Sequence, residues 1–204
     1  MKHLSLVVLS SSLSALPMGN PAEPQIVYRG IWASEAATFA LKTGYQGDVV
    51  FDRKFDKDHS HNHFFSNQGI ITLNYIDRLE LYGGAGAIAF DSKNRFTASG
   101  GGKILLGQWG DTGMGIDGKY QWSRPLREYQ VAFGVFQNIG WFIPYVGVKY
   151  SNIHARAGGK KLFSDLHYGM ALGCSVSSGK IFDLNFEVDL IDELAISFGG
   201  NIQF

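Results

Sequence analysis

His59, His61 and His63 stand at alternate positions in the stretch Asp58-His59-Ser60-His61-Asn62-His63. On an extended backbone, side chains two apart share a face, so three imidazoles there could converge on one divalent cation. The competing reading is a solvated polar loop tip. Asp165 and His167 have the same spacing. They could form a carboxylate–imidazole pair at the rim of a sheet, the arrangement general acid–base work needs. No nucleophile motif accompanies them, and a spacing of two arises readily by chance. The chain therefore reads as a non-enzyme, with no catalytic residue, metal site or cofactor assigned.

A longer charged series recurs on the polar parity of strand-like stretches. It comprises Lys42, Asp48, Asp52, Glu80, Asp117, Lys119, Glu128, Lys149, Asp165, His167, Asp183, Glu187 and Asp189, with Lys54 and Lys103 as further candidates. Both signs occur and acids are in excess. Their neighbours explain the placement. Phe182, Leu184, Phe186, Val188 and Leu190 take every second position around Asp183, Glu187 and Asp189. Beyond an Ile-Asp-Glu punctuation, Leu194, Ile196, Phe198, Ile202 and Phe204 do the same. Period-two alternation gives each strand one apolar and one polar face.

The same reading predicts strands at Thr38 to Phe55, Phe65 to Tyr75, Leu79 to Phe90, Thr97 to Trp109, Thr112 to Trp122, Arg127 to Gln137, Trp141 to Ser151 and Leu162 to Val176. With the final hairpin these make ten, within a range of eight to twelve. Gly100-Gly101-Gly102 predicts a bulge or bend in the fourth. The connections near Asp77, Gly110, Ile139 and Ser178 are tight. Those near Lys57, Lys93 and Ala157 are longer and polar, and Asp91 to Phe96 reads as a loop. Tyr75, Trp109, Trp141, Phe182 and Phe204 fall at the tight-turn end. Phe51, Phe55, Phe65, Trp122, Tyr129 and Tyr150 fall at the loop end. Two aromatic girdles, short turns on one side and longer loops on the other describe an antiparallel transmembrane β-barrel. The charged series would then line its lumen.

Composition agrees. A chain of 204 residues with zero formal net charge offers no electrostatic case for nucleic acid. Mean hydropathy is near zero, as expected where only one face of each strand is apolar. No run approaches the ~18 apolar residues of a membrane helix. Cys174 is the only cysteine, which excludes an intrachain disulfide and leaves an intermolecular one open. Met1 to Ala15 reads as a secretory signal, with Lys2 before an apolar core and Ser14-Ala15 for cleavage. Residues 16–36 then form an N-terminal periplasmic segment, and residues 37–204 the barrel.

Leu-Pro-Met-Gly-Asn-Pro-Ala-Glu-Pro at 16–24, the run Gly44 to Arg53, Pro144 to Ser151 and the ending Leu190 to Phe204 together resemble the chlamydial major outer membrane protein family. The resemblance implies an outer-membrane porin that is also a structural component of the cell envelope. It implies Phe204 as the signal read by the barrel-assembly machinery, with periplasmic chaperones and membrane lipid as partners. A homo-oligomer stays open. The chain is much shorter than that family and lacks the cysteines of its cross-linked coat. The expected activity is passive passage of ions and small polar solutes, weakly favouring cations; the alternative is a closed structural or adhesin-like barrel.

Overall fold

The computed structural model describes residues 39–55, 60–61, 63–75, 79–90, 93–124, 126–157, 160–163, 167–177, 182–191 and 193–203. The proposed signal, the N-terminal segment, Asp165 and Phe204 lie outside these.

Twelve strands follow one another: β1 (Phe39–Phe55), β2 (Ser60–His61), β3 (Phe64–Tyr75), β4 (Leu79–Phe90), β5 (Lys93–Trp109), β6 (Thr112–Ser123), β7 (Leu126–Gln137), β8 (Phe142–Ala157), β9 (Lys160–Phe163), β10 (Tyr168–Ser177), β11 (Phe182–Leu190) and β12 (Glu193–Gln203). β2 and β9 are short flaps folded back on the ends of β1 and β8. The other ten are the staves of a closed antiparallel barrel. Each pairs with its sequence neighbour, β8 pairs with β10 past the flap, and β1 pairs with β12 to close the ring. Lys42 lies opposite Gln203, so both ends of the barrel sequence meet at the tight-turn end. Closure leaves no edge. In hydrocarbon each unpaired backbone group costs several kcal/mol, so a spanning sheet has to close.

The alternation turns outward as its chemistry requires. In β7 strict alternation buries Glu128, Gln130 and Ala132 and exposes Tyr129, Val131 and Phe133. In β11 and β12, Phe182, Leu184, Phe186, Leu194, Ile196 and Phe198 are exposed while Asp183, Glu187, Asp189 and Glu193 are buried. A water-soluble barrel would show the reverse. At the closing seam the Phe198 ring lies across Gly47 on β1 and beside Tyr45, at 6.1 Å between ring centroids.

Four expectations are corrected. The β4–β5 connection is residues 91–92 alone, because β5 begins at Lys93 rather than after a loop to Phe96. Only the β1–β3 and β8–β10 connections, which carry the flaps, are long. The bulge in β5 falls between Leu105 and Gly107, not at the triple glycine, which pairs in register with β4 and β6. The predicted strand from Leu162 breaks into β9 and β10. Phe65 has outward parity but is covered, at 7 % exposure, so it does not join the girdle. Tyr75, Trp109, Trp141 and Phe182 at one end, and Phe51, Trp122, Tyr129 and Tyr150 at the other, are exposed.

Gly110 and Gly140 take positive φ in two tight turns, and Asn138 donates its N–H to the Asp111 carbonyl between them at 2.7 Å. In the β11–β12 hairpin the positive φ of 85° falls on Ile191. A β-branched residue is strained there, by roughly 1–2 kcal/mol. Ile191→Gly is expected to raise the temperature at which the folded, fast-migrating gel band converts to the unfolded one. An unchanged or lower temperature would show that the hairpin is not strained.

Candidate functional site

The lumen is where the fold gathers its buried titratable groups. Among the described residues, five basic and eight acidic side chains are buried there, a formal excess of three negative charges. They form layers along the axis.

Nearest the tight turns, Lys42 on β1 reaches Asp183 on β11 at 3.4 Å, across β12. Lys103 on β5 meets its cross-strand partner Glu80 on β4 at 3.2 Å. Two tyrosines lie flat on the inner wall above them. Tyr82 crosses Gly101 and donates its phenol to Asp117 Oδ1 at 2.7 Å. Tyr145 crosses Gly173 and donates to Glu187 Oε2 at 2.6 Å. In each case a tyrosine on one stave passes over a glycine on the next to a carboxylate on the third. A Cβ at either glycine would overlap the phenol. The Lys103 and Lys119 ammoniums stand 5.5 and 5.9 Å from the Tyr82 ring centre, within cation–π reach. Lys119 also spans the lumen, donating to Gln46 Oε1 at 3.4 Å, and Gln46 donates to Asp48 at 2.9 Å. A cavity of about 60 Å³ lies among these groups, lined by Gln46, Thr72, Glu80, Lys103, Lys119 and Glu187. It holds a few waters and no sugar-sized solute.

Toward the loops the section is filled by an ionic layer centred on Arg53. Its guanidinium donates to Glu128 at 3.0 Å, to Glu193 at 2.7 Å and to Ser151 Oγ at 2.6 Å. Ser151 donates in turn to Glu128 at 2.5 Å. Lys149 binds Glu193 and, at 3.0 Å, Asp189. Five staves, β1, β7, β8, β11 and β12, are thereby tied together across the lumen. Against this layer packs an apolar plug of Val50, Phe64, Ile88, Phe90, Leu126, Ile153, Ala155 and Ala195, with Phe64 and Phe90 edge to face at 5.5 Å.

Among the residues expected in the lumen, Lys42, Asp48, Glu80, Asp117, Lys119, Glu128, Lys149, Asp183, Glu187 and Asp189 are buried on the inner face. Asp52 is not. The register of β1 against β12 shifts between Val50 and Asp52, which reverses parity and turns Arg53 inward, leaving Asp52 half-buried. His167 precedes β10 at the rim, where Nδ1 lies 3.0 Å from the Ser151 carbonyl and the ring packs on Tyr150. Its proposed partner Asp165 is outside the described residues. Of the histidine triplet, His63 is exposed and His59 is outside the described residues. Arg53, Glu193 and Tyr82 were not anticipated. Three successive apolar residues, Val49-Val50-Phe51, are the signal of the bulge that admits Arg53. Glu193 reads as turn punctuation until the closing register makes it the direct partner of Arg53. Cys174 faces outward, half-buried and free.

A closed ring with an apolar exterior and a charged interior is a transmembrane β-barrel. An outer membrane channel of Pseudomonas putida F1 shares the fold, at a TM-score of 0.51 and 11% identity over 86% of this chain and 98% of that one. The sequence model for the Chlamydia major outer membrane protein matches residues 1–64, and so includes the first two of the four resembling stretches. The major outer membrane porin of Chlamydia trachomatis serovar D is 41% identical over 61 residues, covering 24% of this chain and 16% of the relative. That of Chlamydia muridarum is also 41% identical over 61 residues, covering 15% of the relative. The chain thus spans about 16% of the length of the curated relatives it matches. Fold and matches together place it in the outer membrane.

Removing one partner of a buried ion network leaves the others uncompensated, at about 3–5 kcal/mol. Arg53→Met should lower the urea midpoint of the gel-shift transition accordingly, and adding Glu193→Gln should recover part of the loss. An unchanged midpoint for the single variant would show that the layer does not hold the staves.

Proposed function

We propose that the chain is a narrow porin-class barrel that passes water and small ions passively, with larger polar solutes admitted only if the Arg53 layer shifts. The excess of buried carboxylates over lysines and arginine carries this reading. Fixed lumen charge of one sign sets a potential that favours counter-ions, here cations. Buried side-chain atoms of Asp48, Gln121, Gln130 and Ser197 that no described protein group pairs support a lumen hydrated from its middle section to the Arg53 layer. The porin names of the chlamydial relatives agree with a channel and with a non-enzymatic role. On this reading residues 1–15 are a cleaved signal, 16–36 a periplasmic segment, and Phe204 the end recognised during assembly.

A second reading, a closed structural barrel, is favoured by the apolar plug and the Arg53 layer, which together fill the loop-end section. Planar-bilayer recording separates the two. The refolded chain is expected to give small conductance steps whose reversal potential in a KCl gradient lies toward that of potassium. Absence of steps at any voltage would overturn the channel and leave the structural barrel.

A further inference from the structure

The outer wall at the loop end is chemically lopsided. Trp122, Arg127, His154 and Phe163 are direct lateral neighbours on β6, β7, β8 and β9, and all four are exposed. They make an unbroken outward row of aromatic, cation, imidazole and aromatic. His154 and Phe163 meet edge to face at 5.2 Å. Arg124, in the β6–β7 turn, and Lys161, two residues from Phe163 on β9, are exposed just beyond the row. One row toward the membrane, Tyr120 and Tyr129 stack at 4.6 Å, and a row further on Tyr150 packs against Tyr168 at 5.4 Å. Among the described outward residues of β6 to β9 there is no carboxylate; Glu128 on this wall points inward. The opposite wall at the same height carries Phe51, Val188, Ile191, Leu194 and Ile196.

We propose that this face of β6 to β9 is a binding surface for the phosphate groups of a phosphorylated, acylated glycolipid in the outer leaflet. Height and charge both point to that occupant. The first residues of β1 and the last of β12 lie at the other end, and both long, flap-bearing connections lie at this one, so this end faces outward. The cationic tier stands directly above an aromatic belt, the depth at which headgroup phosphates sit over acyl chains. Arginine matches phosphate oxygens with paired N–H donors, and lysine adds a point charge. The aromatic rings offer apolar faces to the sugar and the upper acyl chain. None of these residues enters the lumen, so the surface is independent of conduction.

The test uses the full chain refolded in a neutral detergent and native mass spectrometry, with bisphosphorylated lipid A, fully dephosphorylated lipid A and inorganic phosphate as separate probes. Bisphosphorylated lipid A should be retained about tenfold or more over the dephosphorylated form, and inorganic phosphate should not be retained. The combined variant Arg124→Gln, Arg127→Gln, His154→Gln, Lys161→Gln should lose that preference while keeping the gel shift of a folded barrel. Should that variant fail to fold, Arg127→Glu alone should reduce retention. Equal retention of the two lipids, or an unchanged preference in the folded variants, would overturn the proposal. Retention of inorganic phosphate at the same residues would replace the lipid with a soluble anion.

Discussion

Closure of the backbone ladder between β1 and β12 is the constraint on which the rest of this molecule depends. A sheet in hydrocarbon has no water for its edge groups, so the first and last staves have to meet in register. The seam shows how the side chains allow it. Gly47 makes room for the Phe198 ring on the outside, and Arg53 meets Glu193 on the inside. Once the ring is closed, period-two alternation sends most apolar rows to lipid and most charged rows to the lumen.

That inversion obliges the lumen to be solved as a polar core. Ten staves enclose little space, and the charges inside have no bulk water to solvate them. The chain answers with cross-lumen pairs: Lys42 with Asp183, Lys119 with Gln46, and Arg53 with Glu128 and Glu193. The two tyrosine–glycine–carboxylate crossings serve the same end by laying a large ring flat on the wall and satisfying a buried acid with its hydroxyl. The apolar plug then fills the loop-end section beside the ionic layer. The same arrangement that stabilises the barrel also sets how narrow any path through it is, so the proposed function ties permeation to stability through Arg53.

Most of the architecture was legible because its signal is local. The stave at Phe182–Leu190 coincides with the run read from alternation and that at Leu79–Phe90 with the run read from its bounding turns, and the inward acids of β11 follow from parity alone. What escaped depends on register, which belongs to pairs of strands. One bulge in β1 exchanged Asp52 for Arg53, and with it the identity of the central cation. Glu193 became a lumen residue only through its partner across the seam. Tyr82 was hidden by a glycine-rich strand whose alternation is weak, although the glycines are what let its ring lie flat. The flap β9 broke a predicted stave because Lys160–Phe163 pairs back on β8.

The central claim is that the apolar face of this ring meets lipid, with Trp122 at one interface and Trp109 and Trp141 at the other. Depth-dependent fluorescence quenching tests it directly. The chain carrying Trp32→Phe is reconstituted in bilayers brominated at successive acyl-chain positions. Quenching should be strongest for bromines near the headgroups and weak for those at the bilayer centre. No quenching at any depth would place the aromatic rows away from lipid and contradict the account.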